Sequence, residues 1–239
     1  MHPSMVVYLE HDGKVFLVDE SGGGPQHPTK GNTERNKTLR FPTAEELQRL
    51  NISYTEKGRL CVRHHNGSFD VIKAYPSIAW PGEWAWKDAC VSDNNVHPVA
   101  RDAIYRSIHR LVSKVMICNA EGKVLMAKVE RGHFHGFWTL PGGYMDHDEH
   151  PATGCVRETL EELGLDIVLA KAEPVISQRI FNDEGISFVS FTYKSDWDGS
   201  LDELTLLEEE ISEAAWFEPK IAHAQAVSQF DREALRTLL

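Results

Sequence analysis

The chain has 239 residues and a net charge of -11, with 41% hydrophobic and 26% charged residues. Such usage is that of a globular protein and excludes a wholly disordered, collagen-like or coiled-coil chain. No apolar run approaches the roughly 18 residues of a membrane span, and the opening Met1-His2-Pro3-Ser4 lacks the basic and apolar regions of a signal peptide. A soluble, cytoplasmic protein is expected. At about 150 residues per domain, the length predicts one full-sized domain and a smaller one. Cys61, Cys90, Cys118 and Cys155 are widely spaced, so free thiols are expected rather than a zinc ribbon or a disulfide framework. The first 107 residues carry 13 basic and 13 acidic side chains, leaving 12 against 23 for the remainder. An acidic second half repels phosphate, which argues against nucleic acid or an anionic membrane as partner; phosphate chemistry there would need a metal to mediate it.

In chain order, Val6–Leu9 and Val15–Val18 read as strands joined by an Asp12-Gly13 turn. A loop follows over residues 20–39, then a capping box at Thr43 to Glu46, then a hairpin turning at Asn66-Gly67. Trp80, Trp84 and Trp86 are expected to pack rather than to form a ligand platform. Ile104, Ile108 and Leu111 recur at helical spacing and predict a connecting helix from Ala100. The domains are therefore set at residues 1–100, small and β-rich, and 101–239. The second opens on a hairpin at Val115–Ile117 and Val124–Met126. Strands are expected near 137–140, 175–181, 186–193 and 214–217, with helices at 151–163 and 230–238.

Chemistry concentrates between Pro141 and Leu165. A Pro-Gly-Gly loop precedes a helix that Pro151 starts and Gly164 ends. At about 100° per residue, Glu158, Glu161 and Glu162 share one face, while Ala152, Val156, Leu160 and Leu163 lie opposite and should anchor the helix. An arbitrary acidic run is usually solvated surface. Here three carboxylates stand beside glycines that expose backbone carbonyls, and hard oxygen donors of that kind suit Mg²⁺ or Mn²⁺.

Gly143, Glu149, Arg157, Glu158, Glu161, Glu162, Gly164 and Leu165 fall in the register G-x5-E-x7-R-E-U-x-E-E-x-G-U, where U is a bulky apolar residue. In this the chain resembles the Nudix hydrolases, with Thr159 at the first U as the one departure; the flanking pattern extends the likeness over about residues 110–239. The resemblance implies an α/β (α+β) Nudix fold, a mixed β-sheet sandwiched between helices, here with a small β-rich N-terminal domain outside it. It implies Mg²⁺ or Mn²⁺ as cofactor, held by Glu158, Glu161, Glu162 and the Gly142 carbonyl. It also implies Glu158 as the leading base, with Arg157 and Glu149 orienting the cluster. Family members differ over the base, and Glu208, Glu209 and Glu210 are the alternatives. His133, His135 and Trp138 precede the loop and are candidates for phosphate or base contacts.

The leading functional expectation is a pyrophosphohydrolase cleaving a nucleoside diphosphate linked to another moiety, such as ADP-ribose, a nucleotide sugar or a dinucleotide. The alternatives are a pyrophosphatase that sanitises nucleoside triphosphates and a nucleotide sensor without turnover. The family's NADH-type and coenzyme A-type motifs are absent, and Phe181-Asn182-Asp183 stands where dinucleoside-polyphosphate enzymes usually show Tyr. The expected partner is a nucleotide, with no nucleic acid or membrane. Extended members of the family often dimerise, so a homodimer is expected.

Overall fold

The computed structural model describes residues 5–34, 38–64, 67–132, 134–181 and 186–239. The chain divides into two compact units, Met1–Ile108 and His109–Leu239.

The first unit contains β1 (Met5–His11), β2 (Lys14–Val15), α1 (Ala44–Arg49), β3 (Tyr54–His64), β4 (Gly67–Pro76), β5 (Ala85–Trp86), α2 (Lys87–Ser92) and α3 (Pro98–Arg106). Its sheet runs β3-β4-β1-β2-β5, with β1 parallel to β4. The unbroken apolar run in β1 is explained by burial on both faces: Val6 and Tyr8 enter one core cluster, Val7 and Leu9 the other. The Asp12-Gly13 turn is present, with φ of 49° and 74°. Thr43 and Glu46 form the expected capping box on α1, and the Arg40 guanidinium closes on Glu46 at 2.6 Å. The hairpin of β3 and β4 is formed, although Asn66 lies outside the described residues.

Three expectations fail in this unit, the first being the strand expected over Val15–Val18, which covers only Lys14–Val15. Only Trp84 is buried; Trp80 and Trp86 are 60% and 54% exposed, and their rings flank the Lys14 ammonium at 5.6 and 5.0 Å. That cation makes the exposed rings tolerable, since indole faces attract it. The helix from Ala100 also stops early. It begins at Pro98, capped by His97, and ends at Arg106, so Leu111 belongs to the following strand.

The second unit comprises β6 (Arg110–Cys118), β7 (Val124–Val129), β8 (Trp138–Thr139), β9 (Gly142–Tyr144), α4 (Pro151–Leu163), β10 (Val175–Phe181), β11 (Ile186–Asp196), β12 (Ile211–Phe217), α5 (Pro219–Gln225) and α6 (Gln229–Leu235). The sheet order is β10-β11-β6-β7-β12, with β8 on β7 and β9 on β6. β11 and β6 are parallel, which makes the sheet mixed. Alternation sends Val115, Ile117, Leu125 and Ala127 to the face under α4, with Cys155 and Leu163. Met116, Cys118, Val124 and Met126 pack on the opposite face against Ala222, Ala234 and Leu235 of α5 and α6. This is the mixed sheet between helices that was expected. Among the described residues, no helix is long and apolar enough to cross a membrane.

The anchoring face of α4 departs from expectation. Leu160 is 50% exposed, whereas Cys155, Thr159 and Leu163 are fully buried. Thr159 fits because its hydroxyl donates to the Cys155 carbonyl at 2.7 Å, leaving its methyl to pack. The stripe is rotated toward the acidic residues, and Glu162 is drawn inside with it, at 8% exposure.

Candidate active site

The Pro-Gly-Gly loop is held against the sheet by backbone contacts that side chains would obstruct. Gly142 has φ of 128°, and a Cβ there would lie 2.2 Å from the Ser113 carbonyl oxygen. Only glycine allows β9 to pair with β6 at Ser113 and Lys114. At Gly143 the neighbour is a glutamate of α4: a Cβ would sit 2.6 Å from Glu158 Oε2. Residue 143 is thus kept bare so that a carboxylate can approach the strand.

Arg157 organises the glutamates. Its Nε donates to Glu149 Oε1 at 2.8 Å, and its Nη2 donates to Glu149 Oε2 and to the Tyr144 carbonyl, both at 3.1 Å. Its Nη1 donates to Glu158 Oε1 and Glu161 Oε2, both at 2.9 Å. All five guanidinium N–H groups are thereby used, a planar fork that no lysine reproduces. The Arg157 contact holds the Glu149 carboxyl below its ordinary pKa. Burial pushes Glu158 upward despite Arg157. Glu162 accepts the Gly142 N–H at 2.9 Å, and burial raises it to about 7, against that hydrogen bond and the Lys114 charge.

Glu158, Glu161 and Glu162 line a cavity of about 720 Å³ that also takes in Gly142, Gly143 and Lys114. Among the described residues, no three His, Cys, Asp or Glu side chains form a ready-made metal cage; Arg157 bridges Glu158 to Glu161. The residues nevertheless fit a divalent cation in donor type. Three carboxylates and a glycine-freed carbonyl are hard oxygen donors, and the two more buried glutamates are raised first by burial, with the neighbouring carboxylates adding a smaller push in the same direction.

The remaining predicted residues fare differently. Glu210 lines the same cavity, with its carboxylate paired to Arg131; Glu208 and Glu209 are exposed and do not line it. His135 is turned to the Glu130 carbonyl, and neither it nor Trp138 lines the cavity. Trp138 instead packs edge-on against Phe217 at 4.9 Å. His133 lies outside the described residues. The sequence reading missed Lys114, Phe188, Phe230 and Arg131, all in the cavity wall. Only Lys114 leaves a trace in the sequence, as a charge in the middle of β6 next to the apolar run Val115–Ile117.

The model of the NUDIX domain matches residues 108–238. Over 89 residues, 37% of this chain and 78% of the relative, the chain is 30% identical to an 8-oxo-dGTP diphosphatase of Proteus vulgaris. Similar solved structures include a MutT NUDIX hydrolase from Burkholderia pseudomallei, 25% identical, covering 55% of this chain and 99% of that one with a TM-score of 0.48. A MutT protein from Methanosarcina mazei Go1 is 21% identical, covering 54% of this chain and 92% of that one with a TM-score of 0.45. With the NUDIX domain matching more than half of the chain and the signature of residues 143–165 met at all but Thr159, the chain belongs to the Nudix family and is a Nudix hydrolase.

Proposed function

We propose that the chain is a Mg²⁺- or Mn²⁺-dependent pyrophosphohydrolase that cleaves a nucleotide anhydride and releases a nucleoside monophosphate. The observation that carries this reading is the Arg157 fork, which draws Glu149, Glu158 and Glu161 together beside Glu162 at one cavity. Glu158, Glu161, Glu162 and the Gly142 carbonyl would hold the metal. Bound there, a divalent cation supplies charge neutralisation for the phosphates and a more acidic water. Glu158 takes the proton of the attacking water, its carboxylate aimed by Arg157. Arg157 and Glu149 touch no substrate in this scheme and act as positioning residues. Glu210 is the alternative base, since it alone of the three later glutamates faces the cavity.

Of the two substrate classes, the sequence reading placed nucleoside diphosphates linked to another moiety first. The Proteus vulgaris relative is an 8-oxo-dGTP diphosphatase, which favours nucleoside triphosphates as the substrates of this chain. Mass spectrometry of products formed in ¹⁸O-labelled water from triphosphates, ADP-ribose and nucleotide sugars tests the choice. Monophosphate and pyrophosphate from a triphosphate are expected, with the label marking the phosphorus attacked. Turnover of ADP-ribose alone would restore the first class, and binding without product under either metal would favour the sensor.

A further inference from the structure

Lys114 and Asp231 take no part in the chemistry above, yet they form a buried ion pair at the same cavity. Lys114 on β6 is 7% exposed and Asp231 on α6 is wholly buried. The ammonium lies 2.9 Å from Oδ1 and 3.2 Å from Oδ2, and Oδ2 also accepts the Leu140 N–H at 3.0 Å. Apolar residues of similar volume in place of such a pair are often neutral or stabilising. Joining α6 to the sheet does not account for it, because Met116, Ala234 and Leu235 already pack that interface.

The pair does fix the direction of a long, flexible side chain. An ammonium has three donors and no acceptor, and its one hydrogen bond to Asp231, at Oδ2, leaves N–H donors beside the cavity that Lys114 lines. Phe230, the chain neighbour of Asp231, lies 6.2 Å from Phe188, which lies 6.1 Å from Tyr144, and all three rings line that cavity. Aromatic walls of this kind receive planar rings. Lys114 pairs through its backbone with Gly142, whose N–H is bound to Glu162. A donor-only group thus lines the same cavity as the glutamates and the aromatic wall.

We propose that Lys114, held by Asp231, determines base specificity by donating to a ring carbonyl oxygen, so that keto bases are favoured over amino bases. The inference rests on the nucleotide reading of this cavity and deepens it. A 6-keto purine presents an oxygen that accepts from Lys114, whereas a 6-amino group presents donors that an ammonium cannot receive.

The test is calorimetric binding of IMP and AMP to the full chain without metal, alongside turnover of ITP and ATP with Mg²⁺. The variant is the double substitution Lys114→Met with Asp231→Asn, which removes both charges and leaves no orphaned ion; its unfolding transition verifies the fold. The wild type should bind IMP about tenfold more tightly than AMP, the scale of one net hydrogen bond. The double variant should lose that ratio with AMP affinity changed less than about twofold. Equal binding of the two by the wild type, survival of the ratio in the variant, or equal weakening of both nucleotides, as a phosphate contact would give, overturns the proposal. Binding of neither nucleotide overturns it as well. Selective binding of IMP without hydrolysis of any triphosphate would instead sink the catalytic reading and leave the role of Lys114 standing.

Discussion

At the scale of single residues, the site depends on geometry more than on charge. Arg157 spends five donors on two carboxylates held tightly, a third on the surface and one carbonyl. Arg157→Lys keeps the charge and loses the fork, so turnover should fall by about 10²-fold while the thermal transition moves little; steady-state kinetics with calorimetry checks both. Gly143→Ala places a methyl against Glu158 Oε2, and kcat should fall at least about tenfold with substrate binding largely kept. The signature residues were legible in the sequence because the Nudix signature is a set of particular side chains at helical spacing, and spacing survives without a structure. Trp138 was not legible: its place beside the loop suggested a ligand contact, but its ring is committed to Phe217. Lys114 and Asp231 meet across 117 positions, a separation that no local pattern encodes.

At the scale of elements, the limits of α4 were readable from Pro151 and Gly164 because each residue type solves a backbone problem at a helix end. The rotation of its buried face was not. Periodicity pointed to Leu160, and packing chose Thr159, whose hydroxyl is satisfied within the helix. Gly164 has φ of 65°, and a Cβ there would meet Thr205 Cβ at 2.8 Å. Gly164→Ala should therefore destabilise by about 1 kcal/mol or more, seen as a lower urea midpoint at unchanged slope. The over-long reading of α3 has a similar source. Ile108 and Leu111 continue the apolar rhythm, but Arg110 already begins β6, and a run of apolar residues at a helix-to-strand junction satisfies both periods.

At the scale of the whole chain, the charge asymmetry agrees with the half that holds the glutamate-lined cavity, and the β-rich character of the first unit followed from its turn residues. The topology of that unit did not, because the parallel pairing of β1 with β4 joins strands far apart in sequence. Its stability should depend on pH through Glu46, whose pKa is held below its ordinary 4.5 by the Arg40 hydrogen bond. For a depressed carboxyl the unfolded chain binds the proton more readily. The stabilisation is therefore complete above about pH 4.5 and is lost as pH falls through the lower folded value. In calorimetric scans, the gap in Tm between wild type and Glu46→Gln should be widest near neutrality and narrow on acidification toward pH 3. The most direct test of the central claim, that the Arg157-ordered glutamates form a metal-dependent active site, is turnover of the best triphosphate by wild type, Glu158→Gln and Glu162→Gln, each with Mg²⁺ and with excess chelator. The account predicts product only from wild type with metal, with both variants reduced by at least about 10²-fold. Product from the chelated wild type, or undiminished turnover by either variant, would contradict it.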